Sequence, residues 1–163
     1  AGATAEAVPL LVLLVYVGVA IGGLLGGPAR RLSRAAIAGL LLAAATGLAL
    51  GAKSGLPSGF VLIAVAFCAF QTVTVVVDAR LQDAITGAAR STVTSLAGFA
   101  TELLVLVTFA GYGAGAAVAD HATLFVGFAA VYVVIAGAMI VGSGRWSGAR
   151  HPSADSWATG RHS

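Results

Sequence analysis

Charge is scarce in this sequence of 163 residues, because lysine, arginine, aspartate and glutamate together make up only 9% of it. Ordinary soluble domains carry about 25% charged residues, which cover the surface that faces water. Hydrophobic residues make up 59% of the chain, and the mean hydropathy is +0.99. The shortage of charge therefore argues against a water-soluble fold and points to a chain that lies in a bilayer.

Cysteine is almost absent as well, since Cys68 is the only one. A single cysteine excludes an intrachain disulfide. The three histidines, His121, His151 and His162, are far apart and have no cysteine nearby, so the sequence predicts no metal site. It contains neither a G-x-S-x-G elbow nor an H-E-x-x-H helix, and we expect neither an enzyme nor a bound cofactor.

The few charges divide the chain into long apolar runs. Residues 7–29, 35–52 and 54–77 carry no charge, and 91–119 carries only Glu102. Each run approaches the roughly 20 apolar residues that a helix needs to cross ~30 Å of hydrocarbon. The sequence predicts an all-α integral membrane protein, with a membrane domain over 1–142 that contains five transmembrane helices at 6–27, 35–52, 58–80, 91–112 and 122–142.

The basic residues indicate an orientation. Eight of the nine fall in the first loop, in the joint between the third and fourth helices, or after the fifth helix, and only Lys53 falls on the other side. Loops rich in arginine stay in the cytoplasm. We therefore expect a multi-pass protein of the cell (plasma or inner) membrane, with the N-terminus outside. Residues 143–163, rich in Ser, Gly, Arg and His, predict a disordered cytoplasmic tail.

The N-terminal segment raises the question of whether the chain is whole. It has no basic residue before the first helix, so it lacks the charged start of a signal peptide. An outside start without an export signal predicts a preceding helix, and hence a fragment of a longer protein. The alternative is a complete five-helix protein whose first helix inserts with its N-terminus outside.

Small residues recur at helical spacing in the first two predicted helices. Gly18, Gly22 and Gly26 lie four residues apart, as do Gly23 and Gly27. The second helix carries a similar stripe, made of Ala35, Gly39, Ala43, Gly47 and Gly51. In lipid, small residues let helix backbones approach closely, so both stripes predict helix–helix contacts.

Glu102 is the one acid deep inside a predicted span. It lies twelve residues after Arg90, which places it roughly 18 Å along the fourth helix. An ionised carboxylate facing lipid at that depth costs about 2.5–3.5 kcal/mol or more, so we expect it to face the bundle interior or a wet cavity. It is a candidate for proton coupling or for binding a cationic substrate; a protonated, hydrogen-bonded structural carboxyl is the alternative.

The third helix offers a milder polar side. Gln71, Thr74 and Asp78 are spaced at i, i+3 and i+7, so they share one side of the helix. Gln71 and Thr74 are candidates for hydrogen-bonding a substrate in a central cavity. Hydrogen bonds between helices are the alternative.

Two segments resemble a known family. GGLLGGPARRLSRAAIAG, residues 22–39, is similar to the glycine- and arginine-rich loop between the eighth and ninth helices of major facilitator superfamily (MFS) transporters. DARLQDAITGAARSTVTSLAG, residues 78–98, resembles the joint between their tenth and eleventh helices. Together with the N-out, C-in order of the spans, residues 5–142 resemble helices eight to twelve. The family's loop pattern is G-x-x-x-D-R-x-G-R-R/K, and only its glycine and basic elements have counterparts here, in Gly22, Arg30, Arg31 and Arg34.

The resemblance implies a partial MFS-type C-terminal helix bundle, part of a secondary active transporter that works by alternating access. It implies proton-coupled efflux of small organic or drug-like molecules, with the bilayer, the missing N-terminal half, the substrate and protons as partners, and no nucleic acid. The alternative is a stand-alone five-helix membrane protein that acts as an assembly partner or accessory subunit.

The charged residues of the two segments are predicted to act as a cytoplasmic gate or as topology signals; they are Arg30, Arg31, Arg34, Asp78, Arg80, Asp83 and Arg90. Arg80 and Asp83 are i, i+3 neighbours, so we expect them to pair if the third helix continues that far. The first loop has no acid of its own. Its arginines are therefore expected to act as topology anchors or to pair with acids elsewhere in the chain.

Overall fold

The computed structural model describes residues 8–54, 57–85 and 90–147, and every regular element within these ranges is an α-helix. In chain order the helices are α1 (Val8–Ala29), α2 (Arg34–Lys53), α3 (Pro57–Ala84), α4 (Arg90–Gly115) and α5 (His121–Ser147). All five are long and apolar enough to cross a membrane. The prediction of an all-α chain with five such segments is confirmed.

Each helix runs beyond its predicted C-terminal end, by one to three residues in α1, α2 and α4 and by more in α3 and α5. α3 continues to Ala84 instead of residue 80, and α5 continues to Ser147, which takes 143–147 out of the predicted tail. Hydropathy detects only the part of a helix that crosses hydrocarbon, whereas the helix itself continues until a breaker stops it. The rest of the predicted tail, 148–163, and residues 1–7 lie outside the described residues.

The short α1–α2 connection, residues 30–33, is built from local signals. α1 ends one residue after Pro28, which has no N–H group to continue the helical hydrogen bonds. Ser33 then caps α2, because its Oγ accepts a hydrogen bond from the backbone N of Ala36 at 3.1 Å. The chain therefore reverses within four residues.

Extensive contacts join α1 to α3, α2 to α3 and α2 to α5. α3 thus lies between α1 and α2, although α1 and α2 are adjacent in sequence. Connections alternate between the two ends of the bundle, so the first loop, the end of α3 and the end of α5 lie together. We call this the arginine end, because Arg30, Arg34 and Arg80 lie there.

The contact between α1 and α3 depends on the first glycine stripe. Gly18, Gly22 and Gly26 are buried against α3. A Cβ atom at Gly22 would lie 2.9 Å from the Cβ of Gln71 and 3.0 Å from the carbonyl carbon of Cys68. Real side chains do not approach so closely, so glycine lets the backbones of α1 and α3 touch. The predicted contact of this stripe is confirmed.

The second stripe behaves differently. Gly51 packs against Gly59 of α3, but Ala35, Gly39 and Ala43 are exposed, and nothing lies within 4 Å of a Cβ built at Gly39. The expected contact is therefore wrong for that half of α2. The physical reason is that α3 and α5 both pack on another side of α2, the side that buries Ile37, Ala38, Leu41, Ala44, Ala45 and Leu48.

The apolar core lies between α2, α3 and α5. One cluster contains Ala44, Ala45, Leu48, Ala66 and Ala129, and a second contains Ala38, Leu41 and Ala136. Phe70 of α3 stacks on Tyr132 of α5 with ring centroids 4.2 Å apart, and both rings pack against both clusters. The predominance of alanine lets these helices pack closely.

α4 stands apart from this core. No residue from 91 to 115 is buried, and α4 shares no extensive contact with another described helix. Its attachment is at the end opposite the arginine end, where Tyr112 contacts the rings of His121, Phe125 and Phe128. Large apolar side chains such as Phe99, Leu104 and Phe109 are exposed along its length.

Candidate functional site

Three charged side chains from the first loop and the end of α3, those of Arg30, Arg80 and Asp83, form a network at the arginine end. Arg30 Nη2 donates a hydrogen bond to Asp83 Oδ2 at 2.7 Å. The two side chains are 50% and 67% exposed, so water screens the pair. The first loop, which has no acid of its own, thus finds one in the last turn of α3.

Arg80 makes a second link between the same segments. Its Nη2 donates hydrogen bonds to the carbonyl oxygens of Arg30, at 3.1 Å, and Leu32. Those carbonyls follow the end of α1 and have no helical partner, so the guanidinium satisfies them. Arg80 and Asp83 were expected to pair with each other; instead each bonds to the loop, because the loop crosses the end of α3 and supplies partners for both.

The remaining charged candidates are not part of this network. Arg31 is an exposed residue of the loop just before α2, and Arg34 is exposed in the first turn of α2. Asp78 is exposed on α3. Arg90 begins α4, and its side chain lies outside the described residues.

Glu102 lies in the middle of α4 and is exposed. It does not face the other described helices, because none of them covers α4, and its place in a bundle interior or a wet cavity stays a prediction. Its helix neighbours one turn away on either side, Phe99 and Leu106, are also exposed. The structure thus presents a carboxyl group within an apolar surface.

The polar residues of α3 are divided between two surroundings. Gln71 is half-buried beside Gly22 at the α1–α3 contact. Thr74 is exposed, and its hydroxyl donates to the carbonyl of Phe70 in its own helix at 3.0 Å. With α4 set apart, the structure does not bring Gln71 and Thr74 together with Glu102.

Thr72 is a polar residue that the sequence interpretation missed. It is the buried polar side chain of the described core, and its Oγ1 lies 3.1 Å from the Gly22 carbonyl of α1 and 2.9 Å from the Cys68 carbonyl. The hydroxyl reaches across the interface because Gly22 has no side chain in the way. The glycine stripe of α1 was the signal that could have identified Thr72, because a helix packed on that stripe brings its side chains close to the α1 carbonyls. The sequence did not show that α3 is that helix.

The opposite end carries a separate polar group at the start of α5. Asp120 Oδ1 accepts a hydrogen bond from the Thr123 backbone at 3.0 Å, and hydrogen bonds from the Thr123 side chain and backbone hold the pKa of Asp120 below its ordinary value. Tyr112 Oη and His121 Nδ1 are 2.8 Å apart and share a hydrogen bond. The Asp120 bond caps the start of α5, and the Tyr112–His121 bond fastens the end of α4 to α5.

Within the described ranges, no three His, Cys, Asp or Glu side chains lie close enough together to hold a metal ion. No protein-family model, curated protein or solved structure matches this chain. The fold defines a class, that of helical chains with several segments able to span a membrane.

Proposed function

We propose that these five helices belong to a secondary active transporter of the MFS type, which works by alternating access and couples to protons. The observation that carries the proposal is the Arg30–Asp83 pair at 2.7 Å. It joins the two segments that resemble the family's cytoplasmic loops, which are about fifty residues apart in the chain.

The exposure of this pair suits a gate. Exposed ion pairs are worth only about 0–1 kcal/mol, so a contact of this kind can open and close as helices rock about a central site. Arg80 adds hydrogen bonds to the same loop. In the proposed transporter, the arginine end is cytoplasmic and closes in one of its two states.

Glu102 is the proposed coupling group. A carboxyl at mid-membrane depth is costly against lipid and is kept where it contacts another protein segment or a water-filled path. In the proposed transporter, the N-terminal half covers α4 and completes a cavity around Glu102. Gln71 and Thr74 are proposed to contact a small organic, cationic substrate, which the carboxylate attracts in exchange for its proton.

The test is transport by the full-length protein in proteoliposomes. We expect Glu102→Gln to abolish flux driven by a proton gradient while substrate exchange without a gradient continues. Thr101→Val is the matched control, since it changes the neighbouring polar residue, whose hydroxyl bonds within its own helix. Unchanged flux with unchanged pH dependence in Glu102→Gln would remove Glu102 from coupling.

The exposed length of α4 also favours the second candidate, an assembly partner or accessory subunit. A helix with no buried residue from 91 to 115 offers a surface to the helices of another membrane protein. Purification from the native membrane separates the two proposals. A stable complex with a second polypeptide, and no flux from the reconstituted chain, favours the subunit.

A further inference from the structure

A cleft at the arginine end shares Arg80 with the proposed gate, but the proposed substrate and proton residues Glu102, Gln71 and Thr74 do not line it. It is an open cleft of about 510 Å³ between α2, α3 and α5. Its apolar wall includes Ile37, Val77, Leu81 and Met139, and its charged lining residues are Arg34 and Arg80. Two kinds of surface, one apolar and one cationic, therefore meet in one cavity.

The cleft lies where the spans end. Arg34 is the first residue of α2, and Arg80 lies in the last two turns of α3. Ile37 and Val77 lie one turn or less further into the spans. An occupant is thus offered cations at the membrane boundary and apolar side chains at acyl-chain depth.

The charge of the cleft selects the occupant. No acid lines it: Asp83 already accepts a hydrogen bond from Arg30, and Asp78 is exposed elsewhere on α3. Arg80 uses Nη2 for the loop carbonyls, and a guanidinium has further N–H donors. Arginine pairs well with phosphate oxygens, and basic pockets between membrane helices suit anionic headgroups.

We propose that this cleft binds an anionic phospholipid, with its phosphate at Arg34 and Arg80 and an acyl chain along the wall that includes Met139. The bound lipid fills the gap between α2, α3 and α5 and holds the arginine end together. It is a binding site for a component of the bilayer and does not depend on a transport function.

The experiment places the full chain in nanodiscs made of equal parts phosphatidylcholine and phosphatidylglycerol. Native mass spectrometry then counts the molecules of each lipid that stay bound when the chain is released from the nanodisc. We expect the wild type to retain phosphatidylglycerol preferentially. Arg34→Gln should lower that preference about fivefold, the factor that corresponds to about 1 kcal/mol per arginine near a membrane surface. Arg31→Gln is the matched control, because Arg31 is an exposed arginine three residues before Arg34 that does not line the cleft.

Met139→Trp tests the apolar wall without changing charge, and it should displace the retained lipid by filling the cleft. Equal retention of both lipids by the wild type would overturn the proposal, as would an equal loss in Arg31→Gln and Arg34→Gln, which would indicate only general surface charge. Inorganic phosphate tests whether the headgroup alone is enough for binding. If inorganic phosphate, added to nanodiscs of phosphatidylcholine only, is retained on the chain as well as phosphatidylglycerol is, the site binds a free anion and the lipid assignment is wrong.

Discussion

Arg30 Nη2 lies 2.7 Å from Asp83 Oδ2, which ties the loop after α1 to the last turn of α3 across 53 positions of sequence. Arg80 strengthens the same connection through the carbonyl of Arg30. Side chains of Arg30, Arg80 and Asp83 therefore join the first loop to the end of α3.

The first prediction concerns the strength of this pair. Because both side chains are at least half exposed, a double-mutant cycle with Arg30→Gln and Asp83→Asn should give a coupling energy of about 0.2–1 kcal/mol that falls as salt is added. Thermal unfolding in detergent at low and high salt measures it. The control cycle pairs Arg31→Gln with Asp78→Asn, two exposed residues outside the network. A coupling as large in the control cycle as in the test cycle would contradict a specific Arg30–Asp83 bond.

The second prediction compares two adjacent glycines of α1. A Cβ at Gly22 would meet the Cys68 backbone and the Gln71 side chain, whereas nothing lies within 4 Å of a Cβ at Gly23. We expect Gly22→Ala to destabilise the protein by about 1–3 kcal/mol through overpacking. Gly23→Ala should be neutral or stabilising by up to about 1 kcal/mol, because alanine favours the helix. Unfolding measurements on both variants check this, and equal effects would mean that α1 and α3 do not touch at Gly22.

The third prediction concerns pH at the start of α5. Hydrogen bonding from Thr123, the side chain first and the backbone second, lowers the pKa of Asp120 from its usual 3.8. The ionised form is thus favoured in the folded state. Its stabilising contribution is fully present above the unfolded pKa, and it is lost as the pH falls through the lower folded pKa.

Hydrogen exchange of the first-turn amides of α5, compared at about pH 6 and about pH 3, tests this, because these values lie on either side of the usual aspartate pKa. Asp120→Asn keeps an oxygen that can cap the helix but removes the titrating group. We expect the opening equilibrium of these amides to favour the open state at the lower pH in the wild type and to change less in the variant. The same pH response in both would show that Asp120 does not supply it.

For Glu102, the sequence predicted the position along its helix but not the direction in which the residue faces. Its position along the helix follows from the rise of 1.5 Å per residue, and α4 contains it near the middle. Its direction depends on which helices cover α4, and no described helix does so. Spacing along one helix therefore could not predict that Glu102 is exposed.

The charged residues of the arginine end lead to a similar conclusion. An Arg80–Asp83 pair was the local prediction, since i, i+3 neighbours lie close on a helix. The tertiary structure instead brings the first loop across the end of α3, where Arg30 and the loop carbonyls are better placed as partners. The sequence allowed the loop arginines to pair with distant acids, but it did not indicate that Asp83 is the acid that Arg30 contacts.

The sequence by itself determined that the described part of the chain forms five long apolar helices and roughly where each lies, because a backbone that crosses hydrocarbon must satisfy its hydrogen bonds internally and carry an apolar surface. It also determined that Gly18, Gly22 and Gly26 share one side of α1. Only the tertiary structure decided that α3 is the partner of this side, that α2 packs with α3 and α5, and that α4 stands apart. The physical reason is that lipid solvates all apolar helix surfaces alike, so hydrophobicity places a helix in the membrane while shape and hydrogen bonds choose its neighbours.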